Sequence, residues 1–221
     1  MPIIELGHVA LSPVRIILIN GPDRSGKDTL AGLLSVSLER QGEIVEIVRL
    51  ADPLKAAAAA LHGLPIDFVL DERKEEPLDE LSGKSPREVW VSLAEECVKP
   101  CWGPEFFAKT AKNVICRSAA AAKAGRPRTF IVPDVRFADE METLTGIPES
   151  STLLIRLASA GTDFTRRNER YQDIEGTEGT EGCFFVIREG DNYRVPRQLM
   201  RHVDGGLPRM SSEFTSADAR R

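Results

Sequence analysis

Short apolar runs alternate along the chain with amphipathic stretches of longer period. Val14, Ile16, Ile17, Leu18 and Ile19 form a run of strand length, and Leu30, Leu33, Leu34 and Leu38 then recur at helical spacing. This predicts a buried strand followed by a helix over residues 30–40. Residues 43–48 (EIVEIV) read as a second strand, and residues 53–62 as an alanine-rich helix ending near Gly63. Residues 65–84 are strongly charged and contain proline and glycine, which predicts an exposed connection. Ser85-Pro86-Arg87-Glu88 then has the capping-box pattern with proline at the first helical position, so a helix is expected over 86–98, broken by Pro100 and Gly103-Pro104. A further helix is expected over about 105–123, with Phe107, Ala111, Val114 and Ile115 facing the core.

Residues 128–133 (RTFIVP) read as a buried strand that delivers Asp134 at its end, followed by a short acidic helix at 139–144. Another strand is expected at 152–157, a last one at 183–187 and a helix near 196–202, with a tail over 204–221 of disordered composition. Strands alternating with helices imply an α/β fold in three layers, a central parallel sheet with flanking helices. Ligands bind such sheets outside the carboxyl ends of the strands, where the loop 21–27, Asp52, Asp134 and the segment after Leu157 converge.

The first strand and helix are joined by the most informative segment. In NGPDRSGKDT, Gly21 and Gly26 bound a loop ending in Lys27, the G-x-x-x-x-G-K spacing of a phosphate-binding loop. Its backbone N–H groups turn inward around a polyphosphate, Lys27 reaches the outer phosphates, and the helix offers its positive N-terminal end. The candidate nucleotide-binding residues are therefore Gly21, Asp23, Arg24, Ser25, Gly26, Lys27, Asp28 and Thr29. Asp28 stands where Ser or Thr normally gives its hydroxyl to Mg²⁺, with Thr29 one place later. Either the Asp28 carboxylate takes the metal, directly or through water, or another acid does.

Composition narrows the partners. The 221 residues, 42% hydrophobic and 29% charged, suit one compact domain over 1–203 with a small mobile insertion. A net charge of −5 argues against binding nucleic-acid polymers, so a nucleotide must be held by a local basic pocket. No window approaches the ~20 apolar residues of a membrane span, and the first residues resemble no secretory signal, so the chain reads as cytoplasmic. The four cysteines, Cys97, Cys101, Cys116 and Cys183, contain no C-x-x-C pair and read as free thiols.

Asp134, at the end of an apolar strand beside a phosphate loop, is placed to hold Mg²⁺ through water or to position the attacking group. Arg24 and Arg136 are planar cations that can reach transferring or acceptor phosphates. Arg166, Arg167 and Arg170 fall in FTRRNERYQD, a polar stretch between strands with the composition of a closing lid, spanning about 158–182.

Four blocks together carry a resemblance: Ser25-Gly26-Lys27-Asp28-Thr29; Ala51-Asp52-Pro53-Leu54-Lys55; Gly83-Lys84-Ser85-Pro86-Arg87-Glu88; and Val132-Pro133-Asp134-Val135-Arg136-Phe137 with Glu140. In this order they resemble the bacteriophage-type deoxynucleoside monophosphate kinases, P-loop enzymes of the nucleotide-kinase type that pass the γ-phosphate of ATP to a deoxynucleoside monophosphate. The resemblance implies that Lys27 and its loop hold the ATP phosphates and that Asp52, Lys55 and Arg87 face the acceptor nucleotide, in an insertion over about 52–123. It further implies that Arg136 binds acceptor phosphate, that Asp134 sits near Mg²⁺, and that a homodimer is plausible. It fades after Leu157, where the family's histidine-serine-glutamate stretch gives way to an acidic glycine-threonine repeat over 175–182 that favours a flexible loop.

Other acceptors fit the same motifs. Phosphomevalonate kinases of the animal type also have a Gly-Lys-Asp loop, dephospho-coenzyme A kinases share the architecture, and Asp-Arg-Ser-Gly-Lys resembles the thymidylate kinase loop. An ATP-binding regulatory module without transfer is the alternative outside the kinases, against which the second set of phosphate-seeking arginines argues.

Overall fold

The computed structural model describes residues 14–21, 25–66, 73–121, 127–159 and 180–187. Its centre is β1 (Val14–Asn20), which is buried from Ile16 onward. The sheet has five strands in the order β2-β3-β1-β4-β5, where β2 is Ile44–Ile47, β3 Arg128–Val132, β4 Ser150–Ser159 and β5 Thr180–Ile187. Every neighbouring pair is parallel: Leu18 stands opposite Val132 on one side and Leu154 on the other. The carboxyl ends of these strands therefore share one edge.

Successive β1 side chains point to opposite faces, and each face has its own core. Ile17 and Ile19 join Ile131, Ile155 and Leu157 under α1 (Lys27–Arg40), packing on Leu30, Leu34 and Leu38. Ile16 and Leu18 join Phe130, Val132 and Leu154 on the other face. That face is covered by α2 (Asp52–Leu61), α5 (Phe106–Ala120) and α6 (Ala138–Thr145), through Leu54, Ile115 and Met141 among others. Two apolar faces covered by helices make the three-layer α/β arrangement, with the glycine loop between its first strand and first helix. No helix among the described residues is long and apolar enough to cross a membrane.

The helix starting at Pro86 forms with its capping box: the Glu88 N–H donates to Ser85 Oγ at 3.3 Å, and the Ser85 N–H donates to the Glu88 carboxylate at 2.8 Å. Contrary to expectation, it does not break at Pro100. From α3 (Pro86–Ser92) it passes through a π-helical stretch, Leu93–Val98, into α4 (Lys99–Trp102), and ends at Gly103, whose φ is 91°. The wider π turn shifts the hydrogen-bond ladder by one residue, so the proline, lacking an N–H, starts a new α segment.

Three other expectations are corrected. Val114 is 44% exposed, because the buried arc of α5 runs through Phe107, Ala108, Ala111 and Ile115 and Val114 falls just outside it. The charged connection before Ser85 is partly anchored: Leu78, just before a short 3₁₀ turn (Asp79–Leu81), and Leu81 within it are buried, and Leu78 bridges to Lys84. The last strand begins at Thr180, inside the glycine-threonine repeat, and β4 runs on to Ser159, so both ends of the expected lid belong to the sheet. Parallel pairing recruits residues 180–182 through backbone groups, which the polar side-chain pattern does not report. The helix expected near 196–202, the tail and residues 1–13 lie outside the described residues.

Phe130 is fully buried at the middle of the larger core. Phe130→Ala is expected to lower stability by about 3–5 kcal/mol, read as a reduced urea midpoint with an unchanged denaturant slope.

Candidate functional site

The loop between β1 and α1 uses its two glycines for different reasons. Gly26 has φ 84°, a left-handed conformation that caps α1 and that side chains rarely adopt, although a Cβ there would meet nothing within 4 Å. Gly21 is glycine for space: a Cβ would lie 2.7 Å from Ser25 Oγ and 2.9 Å from the Leu157 carbonyl oxygen. Strand β4 is thus pressed against the loop. Lys27 is buried, and its Nζ donates to the Gly21 carbonyl oxygen at 2.7 Å, closing the loop across its mouth. Asp23 and Arg24 lie outside the described residues, as do Arg166, Arg167 and Arg170.

Two oxygens flanking this segment are buried without a hydrogen-bond partner among the described residues, Asn20 Oδ1 at the end of β1 and Ser25 Oγ before α1. Asn20 ends β1 and spends its amide on the next strand, with Nδ2 donating to the Val135 carbonyl at 2.9 Å. Asp28 and Thr29 are exposed on the first turn of α1. The Asp28 carboxylate pairs with Arg49 Nε at 3.3 Å.

Asp134 follows β3 and is deeply engaged. One carboxylate oxygen accepts the Leu50 N–H at 3.1 Å and the other the Ala51 N–H at 3.2 Å, which ties the end of β3 to the turn before α2. Burial pushes its carboxyl above the usual value, while the two N–H groups and the charges of Arg136 and Lys55 pull it back. A few residues on, Glu140 is buried: one of its oxygens accepts the Arg136 N–H at 2.8 Å and the Phe137 N–H at 3.1 Å. Desolvation raises its carboxyl to about 7 against these bonds, with Asp134 and Asp139 pushing it further up.

Asp52, Lys55 and Arg87 lie on the adjoining helices. Lys55 Nζ is 3.7 Å from Asp52 Oδ1 and 5.4 Å from the ring centroid of Trp90, one turn beyond Arg87 on α3. Arg87 is held by Glu75 at 2.7 Å. Lys55 thus lies over the helix that carries Arg87, and its charge acts on Asp134. The oxygen donors suit Mg²⁺ carried in by a polyphosphate, which needs one or two protein oxygens and keeps several waters. Asp28, Asp134 and the Ser25 hydroxyl, which has no partner among the described residues, are the candidate oxygens, and among the described residues no group of three or more His, Cys, Asp or Glu gathers around one point.

Four contributors escaped the sequence reading: Asn20, Arg49, Trp90 and the anchoring use of Glu140. For Trp90 a signal existed, its spacing of three from Arg87 on a helix. For Asn20 and Arg49 none did, since their partners are distant in the chain.

No protein-family model matches the chain, and no curated protein matches its sequence. Among solved structures it is similar to a "putative kinase" from Chloroflexus aurantiacus, at 14% identity and a TM-score of 0.46, over 89% of this chain and 99% of that one. It is also similar to shikimate kinase from Acinetobacter baumannii in complex with shikimate, at 12% identity and a TM-score of 0.37, over 90% of this chain and 97% of that one. Neither likeness names an acceptor for this chain.

Gly21→Ala is expected to displace Ser25 or β4 and cost about 1–3 kcal/mol, measured by urea unfolding. Glu140 gives a pH dependence of definite sign. Its folded-state value of about 7 lies above the ordinary 4.5, so the stability contributed by the neutral form is present at acid pH and lost as pH rises through 7. That gap corresponds to at most about 3 kcal/mol. Glu140→Gln should remove this component, so between pH 5 and pH 8 the variant's urea midpoint should fall less than the wild type's.

Proposed function

We propose that this chain is a P-loop phosphotransferase that moves the γ-phosphate of ATP, bound with Mg²⁺, to a deoxynucleoside monophosphate. The observation that carries the reading is the pairing of two poles at one sheet edge. On one side is a closed glycine loop with Lys27 buried in it; on the other, the Asp134–Arg136 turn adjoins the helices of Lys55 and Arg87. A module that only held ATP would have no use for the second pole.

In this reading Lys27, the loop N–H groups and the N-terminus of α1 bind the ATP phosphates, with Arg24 adding charge from within the loop. Asp28 and Asp134 supply oxygens toward the metal or its waters, and the Mg²⁺ neutralises phosphate charge when bound. Asp52, Lys55 and Arg87 bind the acceptor nucleotide, and Arg136 its phosphate. Arg166, Arg167 and Arg170 belong to a lid that excludes water. A monophosphate oxygen is already anionic near neutral pH, so the protein needs no strong base. Its work is to align donor and acceptor in line and to stabilise charge.

The test is an ADP-release assay with ATP and Mg²⁺ against dAMP, dGMP, dCMP, dTMP, the ribonucleotides, phosphomevalonate and dephospho-coenzyme A. Turnover that appears only with a deoxynucleoside monophosphate is expected. Turnover with phosphomevalonate or dephospho-coenzyme A alone would replace the acceptor, and acceptor-independent hydrolysis would favour a binding module. Lys27→Ala should lower turnover at least ~10²-fold, as loss of a transition-state charge contact does; near-normal turnover would remove the loop from the mechanism.

A further inference from the structure

The turn from Asp134 to Phe137 leaves the sheet edge with no strand partner among the described residues, yet it is anchored at consecutive positions. The Asp134 carboxylate binds the backbone before α2, the Val135 carbonyl accepts from Asn20, and the N–H groups of Arg136 and Phe137 both donate to one oxygen of Glu140. Phe137 occupies the position before α6 where a polar capping residue would ordinarily sit, and it has no side-chain acceptor for the helix N–H groups. The helix N–H of Glu140 is served by the Asp139 carboxylate at 3.0 Å, and the Glu140 side chain reaches back from the first turn to the Phe137 N–H, the reciprocal half of a capping box. It also goes one residue further than a cap requires, to the N–H of Arg136. Burying a carboxylate is costly, and the Asp139 carboxylate already serves a helix N–H of this first turn without it. What Glu140 adds is a bond to the backbone of Arg136.

From this geometry we propose that Glu140 is the positioning residue for Arg136, holding the backbone from which that guanidinium meets the acceptor phosphate. The proposal rests on the phosphotransferase reading above. Glu140 itself touches no substrate. A loosened turn leaves Arg136 chemically intact but displaced, and displacements of about 1 Å can cost on the order of 10²-fold in rate. Either protonation state of Glu140 retains an oxygen that accepts both N–H groups, so the amide of glutamine can substitute for it.

The test is a double-mutant cycle on turnover with the acceptor found in the panel assay. Glu140→Leu, which keeps the buried volume and removes the acceptor oxygen, should lower kcat roughly 10- to 100-fold. Glu140→Gln should recover most of that loss. In an Arg136→Ala background, Glu140→Leu should change kcat less than about two-fold, because the group it positions is gone. Equal losses in both backgrounds, or a folded Glu140→Gln as impaired as Glu140→Leu, would overturn the proposal. Should Glu140→Leu not fold, amide hydrogen exchange on the wild type decides: protected Arg136 and Phe137 N–H groups support the tie, and exchange at unstructured rates refutes it. A wild type that transfers phosphate to no acceptor would defeat the phosphotransferase reading and this inference with it. Transfer with independent, additive losses would defeat the inference alone.

Discussion

Parallel pairing of β1 with β3 on one side and β4 on the other is the constraint on which the candidate site depends. Parallel strands bring their carboxyl ends to one edge, and the backbone groups that leave the ladder there must find other partners. Gly21, pressed by Ser25 and Leu157, and Asp134, bonded to Leu50 and Ala51, are both consequences. The fully buried apolar side chains of β1, alternating between two cores, secure this strand in place, since a slip of one residue would exchange its faces.

Around that edge the chain uses a half-buried and a buried carboxylate as structural anchors. Asp134 and Glu140 each accept two backbone N–H groups, and both carboxyls are raised by desolvation. Such groups cost stability at neutral pH, and hydrogen bonds to backbone only partly offset the cost. Proteins retain features of this kind where order matters more than stability. The turn bearing Arg136 is such a place under the proposed function, in which its guanidinium meets the acceptor phosphate and must already be in position.

The cations are distributed with the same logic. Lys27 is buried and bonded to Gly21, whereas Lys55 lies over Trp90 and near Asp52, and Arg49 is paired with Asp28. The acidic residue after Lys27 is thereby balanced by a basic one from the end of β2. This compensation lets an acid stand on the first turn beside the glycine loop, the candidate polyphosphate site, in a chain whose net charge is −5.

The β1–loop–α1 unit, the alternation of strand and helix and the capping box at Ser85 were all legible in order along the chain, because each is a pattern closed within a few consecutive residues. The π-helical passage to Pro100, the edge exposure of Val114 and the start of β5 at Thr180 were not, since packing and pairing outweighed local preference there. The candidate residues divide in the same way. Lys27, Asp134 and Arg136 are marked by their positions relative to neighbouring glycines and apolar strands. The bond from Asn20 to Val135 spans 115 residues, and that from Asp134 to Ala51 spans 83. No periodicity reaches so far, because such pairs meet only when the parallel sheet closes and brings the ends of separate strands within hydrogen-bond range.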